Sequence, residues 1–301
     1  MKRLWYVFIP ILTVQVYLAY FQDEGPAQFR RMPRDGITPS PQARDTEASA
    51  PRGRTGKVLR PQSQLDPSFT VKIGEKSNST GTAFSIRQDG VWFTARHVVD
   101  GCDHIGLQVD QRRATKVHKI EVHPKADIAV LWTRSGNPSI GLTSQNLRLN
   151  QPGFHVGYPE GNPGQVVSSL IGRRNMRTVG RYRQSEPVVA WVERARHPRT
   201  QSLGGLSGGP ALDAAGEVIG VTVAASKRRG RVFTTARATM NDMLNYANIR
   251  PDGTPSGGLG IRPNDDDYVR YGDKLRSEKI VAKVLCLIDR PARRRTSTRG
   301  F

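Results

Sequence analysis

From Ser68 to Thr235 the chain is a succession of short alternating or β-branched runs separated by turn residues, and this texture limits the fold more than any other feature. The runs are Thr70–Ile73, Gly81–Ile86, Val91–Thr94, Ile105–Val109, Ile120–Val122, Ile128–Trp132, Phe154–Val156 and Val166–Ile171, then Val188–Val192, Ala211–Leu212, Val218–Val223 and Val232–Thr235. Strands so short and so closely spaced predict an antiparallel barrel or sandwich, not alternating β-α-β units. A single late helix is expected over Ala238–Ala247. No internal repeat is evident.

The two ends have a different texture. Leu4–Phe21 is an uncharged 18-residue run rich in apolar and aromatic side chains, with Lys2 and Arg3 before it and Asp23 and Glu24 after it. As a helix it would be roughly 27 Å long, near the thickness of a bilayer core. The leading positive charges predict a transmembrane anchor at 1–22 with the rest of the chain outside the cytoplasm. A cleaved signal peptide is the rival reading, but no Ala-x-Ala-like site follows the run. Residues 23–66 are rich in Pro, Arg, Gln, Ser and Gly without a sustained apolar period, and read as a disordered linker. The globular domain is expected over 67–250. Residues 251–301 open on a Pro/Gly-rich break and read as a basic C-terminal tail, in which Lys279–Ile288 is apolar enough to be a strand or a helix.

The formal net charge is +20, and residues 67–250 alone hold 25 basic and 13 acidic side chains, a net +12. Such charge admits anionic partners, whether acidic peptides, anionic lipid or nucleic acid; a compositional bias toward arginine produces it equally well. Cys102 and Cys286 are the only cysteines, and no Cys-x-x-Cys occurs, so neither thiol redox chemistry nor a cysteine-rich zinc site is supported. No metal or organic cofactor is implied. The two cysteines fit a single disulfide outside the cytoplasm or two free thiols.

Chemistry concentrates at Gly204-Gly205-Leu206-Ser207-Gly208-Gly209-Pro210. A serine hydroxyl keeps its proton at neutral pH, so it becomes a nucleophile only beside a base and near donors aimed at the developing oxyanion. The stretch also fits Gly-x-Ser-x-Gly, the nucleophile elbow of α/β-hydrolases. Those chains place their histidine after the serine, whereas all six histidines here precede Ser207. His97 is the candidate base, because the apolar run Val91–Thr94 leads into it and small residues at 94 and 95 leave room for its ring. Asp127 opens Asp-Ile-Ala-Val-Leu-Trp, where a carboxylate needs a partner and can fix an imidazole tautomer. His104, His118, His123, His155 and His197 lack such a context.

Thr94-Ala95-Arg96-His97-Val98-Val99, Asp127-Ile128-Ala129-Val130-Leu131 and Gly205-Leu206-Ser207-Gly208-Gly209-Pro210, in that order, resemble the signature blocks of trypsin-like serine proteases. Their spacing, with Gly216-Glu217-Val218-Ile219-Gly220-Val221, is closest to the bacterial HtrA type. The resemblance covers about Thr70 to Tyr246. It implies two six-stranded antiparallel β-barrels with the active site between them, and hydrolysis of protein or peptide substrates through an acyl-enzyme. Carried over by position, Ser207 is the nucleophile, His97 the general base and then acid, and Asp127 the orienting carboxylate. The N–H groups of Gly205 and Ser207 form the oxyanion hole. The implied side-chain pocket is lined by Gln201, Thr222, Val223, Ala224 and Ala225; with no acid among them, small or medium uncharged side chains are expected at the cleaved position.

Two departures stand out. Leu206 replaces the aspartate that digestive members use for zymogen activation, and Arg96, next to the histidine, is expected to face the surface. The arginine-rich stretches 173–183, 194–199 and 227–231 are expected as loops near the cleft, for contact with an acidic substrate or simply for solvation. About 50 residues follow Arg250, too few for the PDZ domain often found after HtrA proteases. Together these features predict a membrane-anchored serine endopeptidase, periplasmic in a bacterium, in envelope protein quality control or processing. The alternative is an inactive protease-fold scaffold. Nucleic acid is the disfavoured partner, and oligomerisation is left open.

Overall fold

The computed structural model describes residues 56–108, 113–226, 229–252, 259 and 261–289. The candidate anchor and most of the candidate linker lie outside them. Among the described residues no helix is long and apolar enough to cross a membrane.

Each of the predicted β runs falls on a strand. In chain order the elements are β1 (Ser68–Ile73), β2 (Ser79–Arg87), β3 (Val91–Thr94), α1 (Arg96–Val99), β4 (His104–Gln108), β5 (Ala114–Val122), β6 (Ala129–Thr133) and β7 (Pro152–Gly157). They continue with β8 (Gly164–Gly180), β9 (Gln184–His197), β10 (Pro210–Leu212), β11 (Val218–Ser226), β12 (Arg231–Thr235), α2 (Arg237–Tyr246), α3 (Tyr268–Ser277) and β13 (Val281–Leu287). The expected late helix is α2.

Six strands close a barrel in the order β13-β2-β3-β6-β5-β4. Successive side chains of a strand point to opposite faces, and here both faces are used. Trp92 packs with Leu107, Leu131 and Val284, while its neighbours Val91 and Phe93 join a second cluster. That cluster also takes Phe154, Val156 and Val221 from the other sheet and Met240 and Met243 from α2. Each such buried side chain contributes about 1.5–3 kcal/mol, so the cluster fixes one sheet against the other.

The other sheet has seven strands in the order β1-β8-β7-β10-β11-β12-β9, with β8 also paired to β9. Antiparallel pairs thus lead from β8 through β7, β10, β11, β12 and β9 back to β8, and β1 joins outside this circuit, parallel to β8. Trp191, Leu170, Val189, Ile219 and Val232 form its apolar cluster.

Three sequence expectations change. The segment expected as a C-terminal tail supplies α3 and β13, and β13 is a barrel strand paired to β2 on one side and β4 on the other. Its partners lie almost the whole domain away in sequence, so local pattern could not choose between strand and helix. Cys286 on β13 is disulfide-bonded to Cys102, with Cα atoms 5.5 Å apart. The arginine-rich stretches are largely strand: 173–180 belongs to β8 and 194–197 to β9. Met176 and Thr178 alternate inward among the arginines, which is what a half-buried strand requires. Finally, the end of the expected linker is ordered. Leu59 is buried and its N–H donates to the Leu147 carbonyl at 2.7 Å, and Arg60 pairs with the buried Asp66.

Candidate active site

His97 sits in α1, a single turn that begins two residues after β3, so the barrel fixes its backbone. Asp127 is 1% exposed and His97 23%. The His97 N–H donates to Asp127 Oδ1 at 2.8 Å, and ring Nδ1 lies 2.6 Å from Oδ2. An ionised carboxylate only accepts hydrogen bonds, so Nδ1 carries a proton, and in the neutral ring the lone pair is on Nε2.

Burial pushes the Asp127 carboxyl up, but the His97 charge and the hydrogen bonds from His97 and Tyr182 outweigh it and hold the group below the usual range. The Tyr182 hydroxyl donates to Oδ1 at 3.3 Å. The Arg96 guanidinium covers the Tyr182 ring at 4.4 Å and pairs with Asp100 at 3.0 Å. Arg96 is therefore engaged in packing rather than turned to the surface as expected. Beneath Asp127 lies a second carboxyl. Glu186 Oε1 accepts from the Asp127 N–H at 2.8 Å, and burial followed by the Asp127 charge pushes Glu186 up to about 8. The raised value favours its neutral form, which limits the negative charge beside Asp127.

The turn carrying Ser207 is held from both sides. Leu206 is buried in the cluster of the second sheet, an apolar anchor where an ion pair was not expected. From the barrel, Thr82 of β2 donates its N–H to the Ser207 carbonyl at 2.9 Å and its hydroxyl to the Gly205 carbonyl at 2.7 Å. Gly205 has φ +94°, and a Cβ there would lie 2.3 Å from the Tyr158 carbonyl oxygen; glycine is required. Among the described residues neither the Gly205 nor the Ser207 N–H has an intramolecular acceptor, so both donors are left without an internal partner there. No hydrogen bond joins Ser207 to His97 among the described residues, but the two line one cleft of about 950 Å³.

Beside Ser207 a smaller cavity of about 220 Å³ is lined by Thr222, Ala224, Ala225, Leu203 and Arg196. Of the five residues expected at the side-chain pocket, Thr222, Ala224 and Ala225 are there. Val223 lines the larger cleft, and Gln201 is exposed and lines neither. Arg196 escapes sequence reading because nothing distinguishes it from the neighbouring arginines. Its charge is engaged, with Glu193 accepting two hydrogen bonds at 2.5 Å each and the Thr200 carbonyl one at 3.1 Å. Thr82, Tyr182 and Glu186 also escape, since only the folded chain brings them to the triad candidates. His155 is buried between Ser168 and Thr222, and burial brings it down to about 3. It is a neutral structural histidine.

Residues 81–221 match the family model described as "Trypsin-like peptidase domain". The chain carries a trypsin-like peptidase domain. It is homologous to DegP/HtrA-type serine proteases: it is 32% identical over 194 residues to a probable periplasmic serine endoprotease DegP-like of Halomonas elongata, covering 62% of this chain and 39% of the relative. The corresponding protein of Ectopseudomonas mendocina is 26% identical over 267 residues, with 85% and 53% covered. The chain thus spans about half or less of these relatives' lengths. Among solved structures, the active form of the Rv3671c protease from M. tuberculosis aligns with a TM-score of 0.49 at 19% identity, covering 67% of this chain and 97% of that one.

Proposed function

We propose that this domain is a serine endopeptidase of the HtrA/DegP type, with Ser207 as nucleophile, His97 as base and Asp127 as orienter. The observation that carries the reading is the 2.6 Å contact between His97 Nδ1 and the buried Asp127 carboxylate, in a cleft shared with Ser207. Nε2 is the ring atom left to take the Ser207 proton as Oγ attacks a peptide carbonyl. The hydrogen bond between them forms as substrate seats, as it does in many proteases whose free enzyme holds it loosely. The Gly205 and Ser207 N–H groups receive the oxyanion. His97 returns the proton to the leaving amine, and water releases the acyl group by the same route.

A reactive-serine phosphonate probe tests this directly. It is expected to label wild type and not Ser207→Ala, and Ser207→Ala or His97→Ala is expected to lower peptide turnover roughly a million-fold. Absence of labelling under every condition would leave the scaffold reading in its place.

The domain is proposed to work outside the cytoplasm, tethered through Leu4–Phe21. The Cys102–Cys286 disulfide supports an oxidising compartment, as do the periplasmic designations of the relatives. The uncharged run behind Lys2 and Arg3 supports the tether. Recovery of the full chain in the soluble fraction of lysed source cells would refute it.

A further inference from the structure

We infer that the cleft beside Ser207 selects peptides with acidic residues ahead of the scissile bond, an inference that rests on the endopeptidase reading above. The cleft that holds His97 and Ser207 is also lined by Lys72, Lys76, Arg174, Arg181, Arg229 and Arg231, with Glu75 as the one acid among its described residues. These cations come from β1 and the turn after it, from β8, from the β8–β9 turn, from the β11–β12 turn and from the start of β12. The arginines are those expected near the cleft; the fold adds Lys72 and Lys76 to them.

Their charge is not spent internally. Arg60, Arg87, Arg96, Arg194, Arg196 and Arg276 each pair with a carboxylate. Among the described residues, none of the six cleft cations does. Lys76 Nζ donates to the His97 and Val98 carbonyls at 3.2 and 2.8 Å, which places its charge at the catalytic end. Arg181 Nη2 reaches the His97 carbonyl at 3.5 Å, and its buried Nε has no partner. Burial, and after it the Arg181 charge, bring Lys76 down to about 8, with Asp100 opposing them.

The direction of the bound peptide follows from β11. This strand pairs β12 as far as Ser226, but pairs β10 only as far as Val221, and the nucleophile turn reaches no further than Thr222. The outer edge of Val223–Ser226 is therefore open among the described residues, and an extended peptide can add to it as a strand. Laid antiparallel, it runs from Ser226 toward Thr222 and brings its next carbonyl to Ser207. The residues ahead of the scissile bond then lie along the cationic wall. The smaller cavity beside Ser207 differs, because Glu193 already holds Arg196. The residue immediately before the bond stays small and uncharged, and the acids belong at the second to fourth positions ahead of it.

The test uses quenched fluorogenic peptides that share one small residue before the bond and carry glutamates, glutamines or lysines at those upstream positions. At low salt, kcat/KM is expected to fall from glutamate to glutamine to lysine, with the first step about tenfold, and the differences to shrink at high salt. Replacing Arg229→Glu and Arg231→Glu together should collapse or invert the glutamate/glutamine ratio, whereas lysine at both positions should keep it. A wild-type ratio near one at low salt, or a ratio that charge reversal does not move, overturns the inference. Binding of the same peptides to Ser207→Ala, read by fluorescence anisotropy, separates the two readings. Salt-sensitive glutamate preference there with no cleavage by wild type sinks the endopeptidase and keeps the cleft assignment. An oligonucleotide or anionic vesicle that displaces the glutamate peptide more effectively than the peptide competes with itself shows a general polyanion site and overturns it.

Discussion

At the scale of single residues, Asp127 stays ionised in a site that is almost closed to water because every direction in which its charge looks is answered. His97 supplies two donors and Tyr182 a third, and Glu186 beneath it is pushed toward its neutral form. This gives stability a particular pH dependence. A glutamate in an unfolded chain titrates near 4.5, whereas Glu186 in the fold is pushed up to about 8. As pH rises through that window the unfolded chain sheds a proton that the folded chain keeps, so Glu186 favours folding below the window and loses that contribution by its upper end. Glu186→Gln keeps an acceptor for the Asp127 N–H and does not titrate. Urea melts at about pH 5, 7 and 9 are expected to show the variant gaining on wild type as pH rises; parallel curves would contradict the assignment. The sequence made His97, Asp127 and Ser207 legible because each sits in a local pattern that chemistry demands. Glu186 and Tyr182 have no such pattern: their roles come from the β8–β9 hairpin folding back on Asp127, a contact between segments whose own surroundings read only as polar and basic.

At the scale of elements, the same division holds. Each of β1 to β12 announces at least part of itself by alternation and turn residues, though the arginine-rich ends of β8 and β9 read as loops; β13 does not, because a seven-residue apolar strand that packs on both sides is locally indistinguishable from a short helix. What secures β13 is pairing with β2 and β4 and the disulfide that ties it to the segment just after α1. The bridge spans 184 residues of sequence, and a loop of that size places its effect toward the upper part of about 2–5 kcal/mol. Reduced wild type, or Cys286→Ser, is expected to lose that much in urea unfolding while still labelling with the reactive-serine probe below its lowered midpoint. An unchanged midpoint would mean that the pairing of β13 holds without the bridge.

At the scale of the whole molecule, the peptidase domain does not end where its sequence blocks end. The match to the family model stops at residue 221, and the last recognisable helix, α2, ends at Tyr246, yet the barrel that carries His97 is closed by a strand beginning at Val281. A chain ending at Arg250 would leave the edges of β2 and β4 unpaired. It would also remove Leu275, Ile280 and Val281 from the cluster that joins the two sheets, and Val284 from the barrel's own. Four such side chains at about 1.5–3 kcal/mol each match the entire net stability of an ordinary domain, about 5–15 kcal/mol. The expected outcome is that a chain ending at Arg250 shows no cooperative thermal transition and no probe labelling, whereas one ending at Asp289 shows both. A cooperative melt from the shorter chain would mean that β13 covers a barrel already able to stand open, and that the charge and geometry around His97 are set by β2, β3 and β6 alone.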